Sequence, residues 1–538
     1  MKPEIFCEFD FIKKYFVPLT PYGKAYKENL LPFTDKKLIK RKYDAIEVVA
    51  EIKKNNRLTY DRIKYHLKNI TYISSSKAFS DISDVFLVKK FINNYYAIYK
   101  LLSSKARSFF GFEWKLEDLF KYLNPDGLSD NFYISENYDE RLKRLRNELT
   151  DVFREIEVFK DRFRDDVKKN YGFDLKSDFI IVEAKDIPSN VSDFFTVDIY
   201  DSTRIILRPK YSQQYIELLG KREKIVFEIK KIESFVLEDI ISKLKKRSDK
   251  IFECIEPILE LDVAMASYDL AEMFKLKRPQ FNTSRIYVKN AVYLPLKKLL
   301  DDMNINYIPL TSNFEKRINI IQGSNMGGKT VVLKTLLLLQ YMAQCGFFVP
   351  ADEFITIVFE RISVPVACEE VKGLSSFAYE IYEMSEELKK IDKGTVFIVT
   401  DEFGKTTNYS EAISIINALI DYFADKKNIY FFLATHFSGI KKAQSVEFLK
   451  MKGFNKEKYS RFADIEKKDI TERIKFINKF MDYEITKVSD SHIVSSDAIE
   501  IAQIIGMDRS ICSRAKEYLE EIYGGKKKNT KENKNTCS

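Results

Sequence analysis

The sequence predicts a multidomain protein in which an all-α region with a small β insert precedes a P-loop α/β domain. From residue 318 onward, strand-like apolar runs alternate with helix-forming stretches, and a glycine-rich pattern typical of phosphate binding follows the first run. Before residue 280, two long charged stretches with helical spacing flank a short segment that has strand character. These observations together predict the fold class.

Length and composition indicate a soluble globular chain. Its 538 residues suggest three or four domains, and 45% of them are hydrophobic while 31% are charged. No run of eighteen apolar residues predicts a membrane span, and an early acidic residue argues against a secretory signal. Six cysteines without CxxC spacing suit a reducing cytoplasm, and three histidines make a histidine-rich metal site improbable.

The net charge of +9 is weak evidence for nucleic-acid binding. The last thirteen residues, Lys526–Ser538, hold five lysines and one glutamate, so the rest of the chain carries only +5. We expect this tail to be disordered.

A Pro-Phe-Thr-Asp turn at Pro32–Asp35 is expected to cap a helical stretch that runs on through Glu47, and residues 136–170 read as one long charged helix. Strands are predicted at 179–182 and 204–207, around a turn at Pro188–Asn190. Helical character then continues from Ser212 to Phe274, which would measure about 90 Å in one straight helix. This pattern favours an antiparallel lever with a β tip, and an ordinary helical bundle is the alternative.

The central motif is the stretch Ile318–Thr330, in which a buried strand leads into a phosphate-binding loop. Gly323, Gly328, Lys329 and Thr330 have the spacing that wraps backbone N–H groups around a polyphosphate. Lysine there would reach the terminal phosphates and the threonine hydroxyl would bind Mg²⁺, while the following helix directs its positive end at the phosphates. The predicted nucleotide-binding residues of the loop are Gly323, Ser324, Asn325, Met326, Gly327, Gly328, Lys329 and Thr330. The loop predicts an ATP or GTP site.

Two further strands end in residues suited to phosphate chemistry. The strand 396–400 is followed by Asp401, expected to hold Mg²⁺ through water, and Glu402, expected to polarise the attacking water. The strand 429–434 leads to His436, a candidate γ-phosphate sensor, for which a purely structural histidine is the alternative. The predicted catalytic residues are thus Glu402, Lys329 and His436, with Thr330 and Asp401 as metal ligands.

A helix start at Gly373–Glu380 is a candidate second anion site. Its exposed N–H groups and the hydroxyls of Ser375 and Ser376 would suit the γ-phosphate of a neighbouring subunit. Spacing alone favours a plain serine cap.

Four ordered motifs resemble the ATPase domain of the MutS family. They are Gly-Ser-Asn-Met-Gly-Gly-Lys-Thr, Ser-Ser-Phe-Ala-Tyr-Glu, Asp-Glu-Phe-Gly-Lys-Thr-Thr-Asn and Ala-Thr-His-Phe. Similarity also extends to Leu19–Asp35, Glu260–Pro279 and residues 497–515, so it covers most of residues 8–523.

This resemblance implies an ABC-type ATPase domain that uses ATP and Mg²⁺ in a homodimer. Ser375 and Ser376 would then act in trans, and Tyr307 would stack on adenine. The domains implied are a helical core (1–135), lever helices (136–278) with a tip at about 171–207, the ATPase domain (279–490), C-terminal dimerisation helices (491–523) and a basic tail (524–538).

The chain departs from the mismatch-repair members of that family. Because the helical core begins near residue 8, we expect their duplex-probing wedge to be absent, and the tip from Tyr171 to Ile205 has a net charge of −4, which repels phosphates. Lys405–Asn408 is closer to short family members that reactivate cobalamin-dependent lysine or ornithine aminomutases. We therefore expect a protein client of that kind. The alternative is a DNA-binding homologue that acts on duplexes or junctions in repair or recombination, through lever residues such as Lys245, Lys246 and Arg247.

Overall fold

The computed structural model describes residues 1–532, apart from 75–78, 130, 176, 188–190, 283, 325–326, 366–374, 392–393, 456–476, 478–479 and 489–496, and for 522–532 it describes the backbone alone. The predicted turn at Pro188–Asn190 and the predicted loop residues Asn325 and Met326 lie outside this part of the chain. Among the described helices, none combines the length and apolar character that a membrane span requires.

Eighteen α-helices and thirteen strands are described in that part of the chain. The helices are α1 (Pro3–Phe6), α2 (Asp10–Tyr15), α3 (Pro21–Glu28), α4 (Lys36–Asn55), α5 (Arg57–Asn69), α6 (Ile82–Leu101), α7 (Ser104–Phe110), α8 (Glu117–Leu123), α9 (Glu140–Tyr171), α10 (Gln213–Lys246), α11 (Ser248–Glu253), α12 (Ile255–Phe274), α13 (Leu294–Asp302), α14 (Lys329–Gln344), α15 (Ser376–Leu388), α16 (Tyr409–Ala424), α17 (Ala498–Ile505) and α18 (Arg509–Glu532). The strands are β1 (Ile180–Glu183), β2 (Phe195–Ile199), β3 (Arg204–Pro209), β4 (Gln280–Phe281), β5 (Ile286–Ala291), β6 (Leu310–Phe314), β7 (Ile318–Gln322), β8 (Glu353–Thr356), β9 (Arg361–Ser363), β10 (Val396–Asp401), β11 (Ile429–Thr435), β12 (Val446–Phe454) and β13 (Met481–Val488).

The chain forms two compact units. One consists of Met1–Tyr60 together with Glu260–Ser538, and the other is Asp61–Leu259. This division cuts across the helical core predicted at 1–135. The reason is that the N-terminal segment packs on α14, where the Tyr43 hydroxyl donates to the Ala343 carbonyl at 2.6 Å and the rings of Phe9 and Tyr341 lie 4.7 Å apart.

The second unit contains the predicted pair of long helices, α9 and α10. They run antiparallel, since Arg146 early in α9 contacts Glu233 late in α10 at 2.8 Å, while Phe159 lies 5.2 Å from Tyr215 at the start of α10. The Asp139 carboxylate caps α9 by accepting a hydrogen bond from the N–H of Arg141 at 2.8 Å. This bond satisfies an N–H of the first turn that has no partner within the helix.

Between these helices lies a three-stranded antiparallel sheet in the order β1-β3-β2. It packs on the end of α9 through a cluster that includes Phe163, Val167, Phe195 and Leu207. The predicted strands β1 and β3 are confirmed, whereas β2 was not predicted. Its alternation is hard to recognise because Phe195 is the one buried side chain in that strand.

The single long helix predicted from Ser212 to Phe274 is wrong. The chain leaves helical geometry at Arg247 (φ −115°, ψ 8°) and interrupts the helix again at Cys254, which yields α10, α11 and α12. At 1.5 Å per residue, the 34 residues of α10 span about 51 Å. The break at Arg247 has no glycine or proline beside it, whereas Pro257 in the first turn of α12 is a local signal for the break at Cys254.

The first unit contains the predicted α/β domain, built on a six-stranded sheet in the order β13-β12-β7-β11-β10-β9. The five strands from β12 to β9 in this order are parallel to one another, and β13 pairs antiparallel with β12. Strands β7 and β11 are buried along their whole length, as expected for a parallel sheet covered on both faces. A four-stranded sheet in the order β4-β8-β5-β6 lies in the same unit.

Two stretches that carry the family resemblance outside the α/β domain contact each other. The buried Asp262 carboxylate accepts hydrogen bonds from the N–H groups of Leu19 and Thr20, both at 2.8 Å, and from the Thr20 hydroxyl at 2.6 Å. These bonds satisfy a carboxylate that would otherwise be costly to bury.

The C-terminal region contains two described helices. Helices α17 and α18 lie where dimerisation helices are expected, and the backbone of α18 continues to Glu532. The disordered tail at 524–538 stays a prediction, and residues 533–538 lie outside the described chain.

Candidate nucleotide site

The site lies at the carboxyl edge of the parallel sheet, where three neighbouring strands end side by side. In register, Asp401 pairs with Ala434 and Thr435 pairs with Gln322, so β7, β11 and β10 present their following residues together. Parallel strands place their carboxyl ends at one edge, which is where such sheets bind ligands. The three motifs predicted from sequence thus meet at one edge.

Glycine is required in the loop that joins β7 to α14. Gly328 has a left-handed backbone (φ +89°), and a Cβ atom there would lie 3.1 Å from Cδ1 of Tyr483. A Cβ atom on Gly327 would lie 3.1 Å from the carbonyl oxygen of Ser324. A side chain at Gly328 would be strained and one at Gly327 would be crowded, so glycine suits both positions and leaves N–H groups available for an anion.

Lys329 is buried inside this loop, with 3% of its side chain exposed. Its Nζ donates to the carbonyl oxygens of Gly323 at 2.8 Å and Ser324 at 2.9 Å, and lies 3.8 Å from Glu402 Oε1. Burial lowers the pKa of Lys329, and the charges of Glu402 and Asp401 oppose that change. A cation in so little water acts strongly on any neighbouring phosphate.

Thr330 and Asp401 are brought together as the predicted metal ligands require. The Thr330 hydroxyl donates to Asp401 Oδ2 at 2.7 Å. Burial raises the pKa of Asp401, although the hydrogen bond from Thr330 and the charge of Lys329 lower it.

The residues present fit a Mg²⁺ ion that keeps most of its water. Asp401 Oδ1 is buried and has no hydrogen-bond partner among the described residues, as is also true of the Ser324 hydroxyl. Within that part of the chain, no group of three or more His, Cys, Asp or Glu side chains forms a metal cage. One carboxylate and one hydroxyl are the usual protein contribution to Mg²⁺ bound with a nucleotide.

Glu402 occupies a strained position directly after β10. Its φ is +52°, which is uncommon for a residue with a side chain, and its N–H donates to the Ala434 carbonyl of β11 at 2.8 Å. Such strain clusters at active sites, where the surrounding structure holds it in place.

The side chain of Glu402 lies among three cationic or titratable groups. Lys405 Nζ is 2.9 Å from Oε2, and His436 Nδ1 is 3.7 Å from Oε1. Burial would raise the pKa of Glu402, but the hydrogen bond and charge of Lys405, with Lys329 and His436, lower it. Glu402 is therefore held as a carboxylate, which is the form a general base needs.

His436 lies beside Glu402, and Tyr409 holds the loop that follows it. The Tyr409 hydroxyl accepts from the N–H of Ser438 at 3.2 Å and forms a 2.7 Å hydrogen bond with its Oγ. The ring of Tyr409 also lies 5.3 Å from that of Phe437. These contacts hold the loop after β11 against the start of α16.

The remaining predicted site residues stay predictions in their roles. Ser375 caps α15 by accepting from the Ala378 N–H at 3.2 Å, and both it and Ser376 are exposed. The Tyr307 hydroxyl accepts from the N–H of Tyr293 at 2.9 Å, and burial raises its pKa. Gly373 and Leu374, which precede this cap, lie outside the described residues.

Four residues that contact the site were not predicted as site residues from the sequence. Met451 of β12 would lie 3.0 Å from a Cβ atom on Gly323, and Tyr483 of β13 borders Gly328. Lys405 pairs with Glu402, and Glu380 of α15 accepts from the N–H of Gly404 at 2.9 Å. Lys405 and Glu380 had a signal, since each lies within one of the four motifs that resemble the MutS family. Met451 and Tyr483 depend on pairings across the fold that spacing does not encode.

Comparisons with known proteins find a similar family domain over this part of the chain. Residues 319–523 match the family model of MutS domain V. The matched residues include the glycine-rich loop, Asp401, Glu402 and His436, so this part of the chain is similar to MutS domain V.

Individual relatives match between about half and nearly all of the chain at low identity. The DNA mismatch repair protein MutS of Thermosipho melanesiensis is 26% identical over 400 residues, which are 73% of this chain and 46% of that protein. The protein of the same name from Thermotoga sp. strain RQ2 is 23% identical over 536 residues, or 96% and 64% of the two chains. Endonuclease MutS2 of Caldanaerobacter subterraneus subsp. tengcongensis is 30% identical over 305 residues, or 55% and 35%.

The chain spans about half the length of the first of these relatives. The matches support the predicted resemblance to the MutS family as a whole. They do not support the finer prediction of the aminomutase-reactivating branch.

Proposed function

We propose that this chain is a Mg²⁺-dependent ATPase that works as a homodimer on DNA. The observation that carries the ATPase part is the 2.7 Å contact between Thr330 and Asp401 beside the buried Lys329, in a domain that matches MutS domain V. A hydroxyl, a carboxylate and a lysine at one sheet edge are the groups that hold a metal–nucleotide complex.

In this proposal each side chain has one task. Lys329 and the N–H groups of its loop bind the terminal phosphates, and Thr330 and Asp401 hold Mg²⁺, which when bound neutralises charge on the phosphate oxygens. Glu402 accepts a proton from the attacking water, and His436, 3.7 Å from it, orients the base or contacts the γ-phosphate. Ser375 and Ser376 complete the partner's site, and Tyr307 stacks on adenine.

DNA is the proposed substrate because two kinds of similar protein are named for work on DNA, a mismatch repair protein and an endonuclease. The candidate contacts are Lys245, Lys246 and Arg247, whose side chains are exposed at the end of α10. Phosphate contacts from such lysines supply sequence-independent affinity.

A protein client remains a second candidate, and the β tip is the observation that favours it. Six of its seven acidic side chains are exposed, and only Asp201 is half-buried. An acidic surface repels a phosphate backbone but accepts a basic protein surface. An inactivated cobalamin-dependent aminomutase is the client to test.

The ATPase rate with different stimulants discriminates the two candidates. We expect duplex, junction or single-stranded DNA to raise the rate at physiological salt, with affinity that falls steeply as salt increases. In the Lys245→Ala/Lys246→Ala variant, the salt slope should fall by about two, whereas Lys185→Ala in the acidic tip should leave it unchanged. Stimulation by the inactivated aminomutase and none by DNA would replace DNA with a protein client.

A further inference from the structure

The inference concerns Glu380, a buried glutamate in the second turn of α15. Its side chain is 5% exposed, and Oε2 accepts a hydrogen bond from the N–H of Gly404 at 2.9 Å. A carboxylate is costly to bury and is found inside proteins where it meets strong donors. Here one donor is the Gly404 N–H, which belongs to the loop that carries Glu402.

That loop is a tight turn. The N–H of Lys405 donates to the Glu402 carbonyl at 3.0 Å, and the N–H of Thr407 donates to the Gly404 carbonyl at 3.2 Å. Gly404 itself has φ +77°, and a Cβ atom on it would lie 3.0 Å from the Cβ of Ala412. The turn is therefore held closely against α16.

Two hydrogen bonds fix the backbone on either side of the Glu402 side chain. On one side, the N–H of Glu402 is bound to the Ala434 carbonyl in β11 at 2.8 Å. On the other, the N–H of Gly404 is bound to Glu380. Because Glu402 has a left-handed backbone that costs free energy, it depends on such restraints to keep its side chain aimed.

We propose that Glu380 is a positioning residue for Glu402, and that it ties the general base to the helix that begins with Ser375 and Ser376. This inference rests on the proposed function, since it takes Glu402 as the base. Under this proposal, α15 cannot shift relative to the turn 402–407 without breaking the hydrogen bond that Glu380 accepts from the Gly404 N–H. A partner's nucleotide that binds Ser375 and Ser376 therefore affects the position of the chain's own base through the side chain of Glu380.

The test compares two substitutions of similar volume at this position. Glu380→Met removes the acceptor, whereas Glu380→Gln keeps an oxygen that can accept from Gly404. We expect Glu380→Met to lower kcat for ATP about ten- to a hundred-fold with KM within about two-fold, because a base displaced by about 1 Å loses rate without loss of binding. Glu380→Gln should retain kcat within about three-fold. Glu386→Met, on the same helix but paired with Lys389 at the surface, is the control and should behave as the parent.

Two results would overturn the inference alone, provided that the parent hydrolyses ATP. One is parental kcat in Glu380→Met. The other is equal loss of kcat in the methionine and glutamine variants, which would indicate a structural role for the charge. If Glu380→Met does not fold, Glu380→Asp withdraws the carboxylate by one methylene group and should lower kcat with KM kept; parental kcat there would overturn the inference. A parent chain that binds but never hydrolyses ATP would overturn the proposed function and this inference with it.

Discussion

The nucleotide site and the β tip both concentrate ionisable side chains, but in opposite surroundings. At the nucleotide site, Lys329 is 3% exposed and Glu402 is 15% exposed, and each has a shifted pKa. At the tip, Asp198 and Glu183 are more than half exposed and pair with Arg208 and Lys185 at the surface. Charges interact strongly where they are buried and weakly where water screens them.

The difference indicates where chemistry can occur in this chain. A buried lysine between two carboxylates can act on a phosphate over a few ångströms, because little water screens it. Exposed pairs contribute little to stability, and together they set a surface potential that repels or attracts a partner. Substitutions at the two regions should therefore have effects of very different size.

The largest effect is expected at Lys329. Lys329→Ala should reduce ATP turnover to background, because the loop loses the one cation predicted to reach the terminal phosphates. Turnover is measured as phosphate release at saturating ATP. Lys334→Ala is the control, since this lysine of the same helix pairs with Glu8 at 2.6 Å on the surface. If Lys329→Ala retains turnover, the phosphate-binding role proposed for the loop is wrong.

A smaller loss is expected at Glu402. Glu402→Gln should bind ATP with parental affinity and hydrolyse it about a hundred-fold or more slowly, because an amide cannot accept the proton of the attacking water. Binding is measured with a fluorescent ATP analogue and turnover in parallel. Asp421→Asn, whose carboxylate pairs with Lys441 at the surface at 2.9 Å, should change neither. Full activity in Glu402→Gln would mean that another group is the base.

The contrast between buried and exposed positions should also appear in the free energy of unfolding, and two phenylalanines, one buried and one exposed, test it. Phe431 of β11 is 1% exposed, so Phe431→Ala should cost about 3–5 kcal/mol in the free energy of unfolding of its unit. Phe227 of α10 is 67% exposed, so Phe227→Ala should change the stability of its unit by less than about 0.5 kcal/mol. Denaturant unfolding monitored for each unit checks this, and equal effects would contradict the assigned burial.

The smallest effect is a displaced pH profile. Lys405 lowers the pKa of Glu402 by a hydrogen bond and by its charge, so Lys405→Met should raise that pKa. A general base works when deprotonated, and the acidic limb of the kcat profile should therefore move to higher pH, with little change at alkaline pH. Lys452→Met, which removes a surface lysine paired with Asp482 and Glu484, is the control. An unmoved acidic limb would show that Lys405 does not tune the base.

The elements that sequence reasoning predicted correctly share a strong local signal. Strands β7, β10 and β11 are runs of buried apolar residues, and α9 is a long charged helix with a cap at Asp139. The elements that it missed have weak signals. In β2 four of five side chains are exposed, and the break at Arg247 has no glycine or proline. Local propensity cannot locate a break that packing imposes.

By itself, the sequence determined that a phosphate-binding loop, two carboxylates and a histidine follow three strands, because spacing along one chain encodes a loop and its flanking elements. Only the tertiary structure decided what surrounds them. Tyr483 borders Gly328, and Glu380 binds Gly404, through pairings between segments far apart in the chain. Such contacts depend on sheet register and helix placement, which are settled by burial of the whole core.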